Sequence, residues 1–239
     1  MDYNKNMTIW IVVGVIAFAV LICFLLAIAN FAGERFFERY EEVDKVFINN
    51  NLTPLGFANS INQKYFNGKL SVIPISSLAS DAYSKQKLFL SDKTLSTNSV
   101  ASFAIIAHEL GHAMQDNEGN KLKRLFAFRR LGRILSMLFV PAIIVGVVLM
   151  LFNLMLWGVL SLSIGGGILF MSFAIKLRTI YLEKDASQKA LKLLEGVLTE
   201  DELEIAKQFT NDAKLTYWAD FLRLLLWWTA LSKKSKLFN

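Results

Sequence analysis

The sequence predicts a mainly α-helical membrane protein, with transmembrane helices and a small β element on one side of the bilayer. Three observations predict it. Hydrophobic residues make up 54% of 239 and the mean hydropathy is +0.41, more apolar than an ordinary soluble domain. Uncharged apolar runs occupy 8–29, 134–152 and 154–175. At ~1.5 Å of rise per residue, helices of these lengths match a ~30 Å hydrocarbon core. The basic residues behind the net charge of +6 stand beside those runs, as the positive-inside rule requires, so they need no nucleic acid to explain them. The one cysteine, Cys23, lies inside the first run, so no intrachain disulfide shapes the fold.

The first run, "TIWIVVGVIAFAVLICFLLAIA" at 8–29, is longer than the ~7–15-residue apolar core of a signal peptide and reads as a transmembrane helix. Only Lys5 precedes it, whereas Arg35, Arg39 and Lys45 follow it, which puts the N-terminus outside and 31–133 in the cytoplasm. Runs 134–152 and 154–175 are separated by Asn153 alone and read as a transmembrane hairpin over 134–175. Lys121, Lys123, Arg124, Arg129, Arg130 and Arg133 precede it, and Lys176, Arg178 and Lys184 follow. Both of its ends are therefore cytoplasmic. Pro141, Gly146 and Gly165–Gly167 are tolerated in such helices, where they permit close packing.

The cytoplasmic pieces are read from local signals. Residues 34–51 continue the first helix. Thr53 and Pro54 are an N-cap and a first-turn proline for the helix that follows. "KLSVIPI" (69–75) and "QKLFLSD" (86–92) read as strands, with the polar "SSLASDAYSK" as the linker between them. A helix spans about Ser99 to Asp116, with Ala104, Ala107 and Gly111 forming a stripe of small residues suited to close approach of another element. In the C-terminal cytoplasmic region, 176–239, "YLEKDASQKALKLLE" is a helix. Thr199 and Glu202 form a capping box for the next one. The run 215–231 contains Asp220 and Arg223 and is followed by Lys233, Lys234 and Lys236. It reads as a helix lying at the interface or packed on the bundle, with Trp227 and Trp228 at headgroup depth.

The chemistry is concentrated in "AIIAHELGHAMQD" (104–116), which holds both histidines of the chain, His108 and His112. On a helix, H-E-x-x-H sets two imidazoles one turn apart on the same face, where both can ligate one zinc at about 2.0–2.1 Å. Glu109 projects beside that face, placed to take a proton from a water acidified by the metal. No histidine is left for the third ligand, so an acid is required. Glu118, Glu183 and Glu195 are the candidates, with Asp185 nearby. Glu118 must fold back, and Glu195 sits at a helix end. The hairpin returns Glu183 to the compartment of His108, which makes it the best candidate.

These residues resemble the YugP-like neutral zinc metallopeptidase family. The matching stretches are "IAHELGHAMQ" (106–115), "EKDASQKA" (183–190), "LFLSD" (88–92) and "LTYWA" (215–219), in the family's order from about residue 50 onward. The resemblance implies a membrane-bound gluzincin with a zincin-like cytoplasmic helical region. It implies His108, His112 and Glu183 as zinc ligands and Glu109 as the base. HtpX-type membrane proteases are similar in layout, with aspartate where this chain has Ser187. Whether Asp185 takes over the support of a ligating histidine stays open. The family's "H-Y-D-P" segment survives here only as Tyr83 within "DAYS".

The expected activity is peptide-bond hydrolysis by a zinc-activated water on the cytoplasmic face of the cell membrane. Its substrate would be a peptide or a membrane protein. Tyr217 and Tyr83 are candidates to stabilise the transition state, and "QKLFLSD" is a candidate edge strand for an extended substrate. An intramembrane protease is disfavoured, because polar residues bracket the motif too closely for a ~20-residue span. The alternative is a non-catalytic membrane scaffold with a basic cytoplasmic surface. The intact Glu109 argues against it.

Overall fold

The computed structural model describes residues 2–49, 51–76, 80–119 and 121–225. Trp227, Trp228 and the terminal lysines lie outside them. The chain is mainly helical with one small sheet. The order is α1 (Asp2–Val43), α2 (Pro54–Phe66), β1 (Ser71–Ile75), β2 (Ala82–Ser84), β3 (Lys87–Ser91), α3 (Asp92–Ser96), α4 (Val100–Asn117), α5 (Lys121–Leu151), α6 (Met155–Leu194) and α7 (Glu200–Leu225).

Helix starts follow the capping signals. The Thr53 hydroxyl accepts from Gly56 N at 3.0 Å with Pro54 in the first turn. Thr199 and Glu202 make the reciprocal box, Glu202 Oε2 taking the Thr199 N–H at 2.8 Å. Ser99 caps α4 by accepting from Ser102 N at 3.2 Å, and its own hydroxyl donates to Asp44 Oδ1 at 2.7 Å. The start of the motif helix is thereby tied to the end of α1.

The sheet departs from the sequence reading in two ways. The polar linker contains a strand, β2, whose one buried side chain is Tyr83. A three-residue edge strand needs no apolar run, so composition did not reveal it. The order is β1–β3–β2, with β1 parallel and β2 antiparallel to β3. The "QKLFLSD" strand is therefore central, with both backbone edges paired, and cannot take an extended substrate. The edges are β1, where Pro74 is tolerated for that reason, and β2. The short helix α3 follows at once, with Asp81 accepting from Ser91 N at 2.6 Å and from the Thr94 hydroxyl at 2.9 Å.

α5 and α6 are each long and apolar enough to cross a membrane. They form the antiparallel hairpin, and each runs on without a break into a charged extension. The turn is longer than Asn153 alone. Asn153 takes a left-handed φ of 60°, Leu154 N donates to Leu149 O at 2.9 Å, and Asn153 N donates to Met150 O at 3.1 Å. That pair of bonds closes a Schellman motif and satisfies the last carbonyls of α5. Of the glycine run, only Gly165 faces the partner helix, against Ile143 and Ala142; Gly166 and Gly167 face open space. α1 runs along α7, where Phe36 stacks on Phe209 at 5.5 Å and Arg39 pairs with Asp212 at 3.3 Å. The core gathers Phe57, Phe103, Leu88, Leu90, Ile106 and Leu110 between α2, the sheet and α4.

Candidate metal centre

The centre forms where α4 crosses α6. Gly111 makes the crossing possible: a Cβ there would run into the carbonyl oxygen of Ala186. With the backbones in contact, Glu183 and Ser187 of α6 fall opposite the histidine pair of α4. Of the predicted stripe of small residues, Gly111 is the one that meets α6.

His108, His112 and Glu183 offer ligand atoms that all lie within 4.8 Å of one another. Glu183 is 1% exposed. Its Oε2 stands 3.4 Å from His108 Nε2 and 3.5 Å from His112 Nε2, and it is buried with no hydrogen-bond partner. A buried carboxylate oxygen left unsatisfied is costly, and this one faces two imidazole nitrogens. Ligands about 2.0–2.1 Å from a tetrahedral ion stand roughly 3.3–3.4 Å apart, close to both separations. The two imidazoles and one carboxylate, with room left in a cavity, are the donor set of a catalytic zinc site, so the residues fit that ion.

The second oxygen, Oε1, is ion-paired with the Arg129 guanidinium of α5. Burial opposes ionisation of Glu183. The Arg129 guanidinium beside it is among the causes that overcome this, and the carboxyl is held well below the usual range.

Each histidine is held from behind. His112 Nδ1 is 3.0 Å from Gln115 Oε1. The Gln115 amide nitrogen donates to Leu182 O at 2.7 Å and to Asp185 Oδ2 at 2.9 Å. Two acceptors on the nitrogen fix the amide's orientation, so its oxygen must accept from His112 Nδ1–H. That tautomer leaves the Nε2 lone pair directed at Glu183. Asp185 thus supports a histidine through Gln115. Ser187 Oγ lies 3.4 Å from His108 Nδ1, a looser contact.

Glu109 lines a cavity of about 700 Å³ beside the three ligands. The backbone N–H of Tyr83 on β2 faces it, and shielding from water pushes its carboxyl up from the ordinary value. Tyr217 lines the same cavity as the three ligands, and burial and the nearby Glu183 charge push its hydroxyl up from the ordinary value. Tyr83 lines the cavity, but its hydroxyl donates to Asp116 Oδ2 at 3.0 Å and accepts from Gln86 N at 3.1 Å. Burial and that aspartate push it up to about 12. The two remaining candidates stand apart. Glu118 pairs with Lys121 at 2.8 Å and Lys189 at 3.1 Å, and Glu195 ends α6.

The model of a family described as "Putative neutral zinc metallopeptidase" matches residues 11–232. The chain belongs to that family. Neither the curated proteins nor the solved structures contain a match to it. Membership in this family points to a hydrolase, and the family description and the donor set both point to zinc.

Sequence reasoning overlooked Gln115 and Arg129 at this candidate metal centre. Gln115 was detectable, because it stands three residues after His112 and so shares its face. Arg129 was counted only as a charge flanking the hairpin. Its contact with Glu183 depends on how α5 returns along α6, which no local pattern states.

Proposed function

We propose that the chain is an integral-membrane zinc metallopeptidase of the cell membrane, hydrolysing peptide bonds on the cytoplasmic side. The observation that carries this reading is the unpartnered, buried Oε2 of Glu183 facing His108 Nε2 and His112 Nε2, with Glu109 at the wall of the adjoining cavity. His108, His112 and Glu183 hold the zinc. When bound, zinc supplies a Lewis acid that acidifies water and polarises a carbonyl. Glu109 accepts a proton from the attacking water and passes it to the leaving amine. Tyr217, beside Glu183, donates a hydrogen bond to the oxygen that gains charge. Arg129 holds Oε1 so that Oε2 stays turned to the histidines. β2 is unpaired on its outer edge among the described residues and borders Glu109. It offers its backbone to an extended substrate, the part the sequence reading gave to β3.

Membrane insertion is supported by α5 and α6, by the uncharged run within α1, and by the basic residues at the cytoplasmic ends. The test of the chemistry is Glu109→Gln. The variant keeps its zinc, because Glu109 is no ligand, and loses about 10²–10⁴-fold in hydrolysis of a quenched-fluorescence peptide. Undiminished hydrolysis in the purified variant contradicts the reading.

A further inference from the structure

The cavity at the zinc ligands has a neighbour. A second groove of about 620 Å³ lies between α1 and α7, and the two share Phe36, Phe37 and Thr216 as a common wall. The second groove reaches down to Asn30 and Gly33, immediately after the uncharged run of α1 ends at Ala29. The opening is thus at the level where α1 enters the bilayer, given the membrane placement proposed above. α6 gives the height of the ligands above that level. At about 1.5 Å per residue, Glu183 stands roughly 12 Å beyond Ile175, where the uncharged part of α6 ends.

The walls and the mouth have complementary characters. Phe37 is 61% and Phe126 42% exposed, apolar surface offered on the way to the ligands. At the mouth, Glu34 and Glu38 lie one turn apart on α1, both exposed. Neither has a cation partner among the described residues. An acidic mouth at the cytoplasmic membrane surface matches polypeptides whose segments leaving the bilayer carry lysine and arginine.

We propose that this groove admits the basic juxtamembrane segment of another membrane-anchored polypeptide and delivers it to the zinc centre. The inference rests on the peptidase reading and names its substrate class. An extended chain covers at most about 3.3–3.6 Å per residue, so the scissile bond lies about four residues or more beyond the substrate's membrane helix. The membrane then acts as a ruler, and cleavage is set by distance from the bilayer as well as by sequence.

The test uses the full-length, zinc-loaded protein in proteoliposomes and two synthetic peptides sharing one lysine-rich reporter sequence. One peptide carries an apolar helix of about 20 residues, long enough to span; the other does not. The anchored peptide is expected to be cut at least about tenfold faster, part of which comes from confinement to the same membrane. Two readouts are specific to the groove. Inserting four residues between helix and reporter moves the cut along the reporter and keeps its distance from the helix. The double variant Glu34→Lys/Glu38→Lys cuts the lysine-rich anchored peptide at least about fivefold more slowly, and cuts a glutamate-rich version faster. A cut that stays at one reporter bond despite the insertion, or rates indifferent to charge reversal, overturns the assignment and leaves the peptidase reading intact. If the zinc-loaded protein cuts neither peptide, both fall.

Discussion

Helix α6 is one unbroken helix whose two halves face outward in opposite ways. In the first half, Leu156 is 77%, Phe170 72% and Trp157 59% exposed, while Gly158, Gly165 and Ser172 turn inward. In the second half Ala186, Ser187 and Ala190 turn inward in the same manner, but Lys184, Gln188 and Lys192 face out. Both inward sides carry small residues where another helix packs closely. The outward side changes from apolar to charged. A helix passing from hydrocarbon into water requires that change. Glu183 lies inward in the second half, where Arg129, two imidazoles and a metal can compensate its charge. With the first half embedded as proposed, this one helix sets the height of Glu183 above the bilayer.

The largest expected effect breaks the second half. Gly111→Ala puts a methyl group into the Ala186 carbonyl and pushes α4 off α6. Overpacking of this kind costs about 1–3 kcal/mol. Displacing the ligands by an ångström costs peptidase activity about 100-fold. Gly167→Ala meets open space and changes activity less than about twofold. Thermal unfolding and peptide hydrolysis, measured on both, check the contrast.

Polarity on the outward side sharpens it next. Ile164, 52% exposed, lies in the first half. Ile164→Asp costs about 2.5–3.5 kcal/mol of membrane insertion. Gln188→Asp, on the exposed side of the second half, stays within about 0.5 kcal/mol. The membrane-integrated fraction of each variant decides. Equal insertion of the two would mean that the halves do not sit in different solvents.

The smallest effect separates the two histidine supports inside the second half. Gln115→Ala removes the clamp on His112 Nδ1, and zinc affinity falls about 10–100-fold, as for other groups that orient a ligating histidine. Ser187→Ala loses only the 3.4 Å contact to His108 and costs less than about threefold. Competition with a chelating dye measures both. A larger loss at Ser187 would reverse the order of support.

The helices, their caps and the shared face of the two histidines were legible because each rests on short-range rules. Thr53, Ser99 and Thr199 announce helix starts, and the H-E-x-x-H spacing announces a shared face. Glu183 was legible for a topological reason, since a hairpin returns the chain to the side it left. What escaped depends on partners distant in sequence. β2 is held by Tyr83 and by pairing with β3, with no apolar run of its own. The central position of β3 follows from the sheet order. Arg129 meets Glu183 only after α5 folds back along α6, and Asp185 reaches His112 only through Gln115.

The central claim is that His108, His112 and Glu183 jointly hold one zinc. It is tested most directly by the metal content of the detergent-purified chain, prepared without chelators, beside His112→Ala and Glu183→Ala. The account predicts about one zinc per chain in the unaltered protein and loss of it in both variants. A full equivalent retained by Glu183→Ala, or none in the unaltered protein, would contradict it.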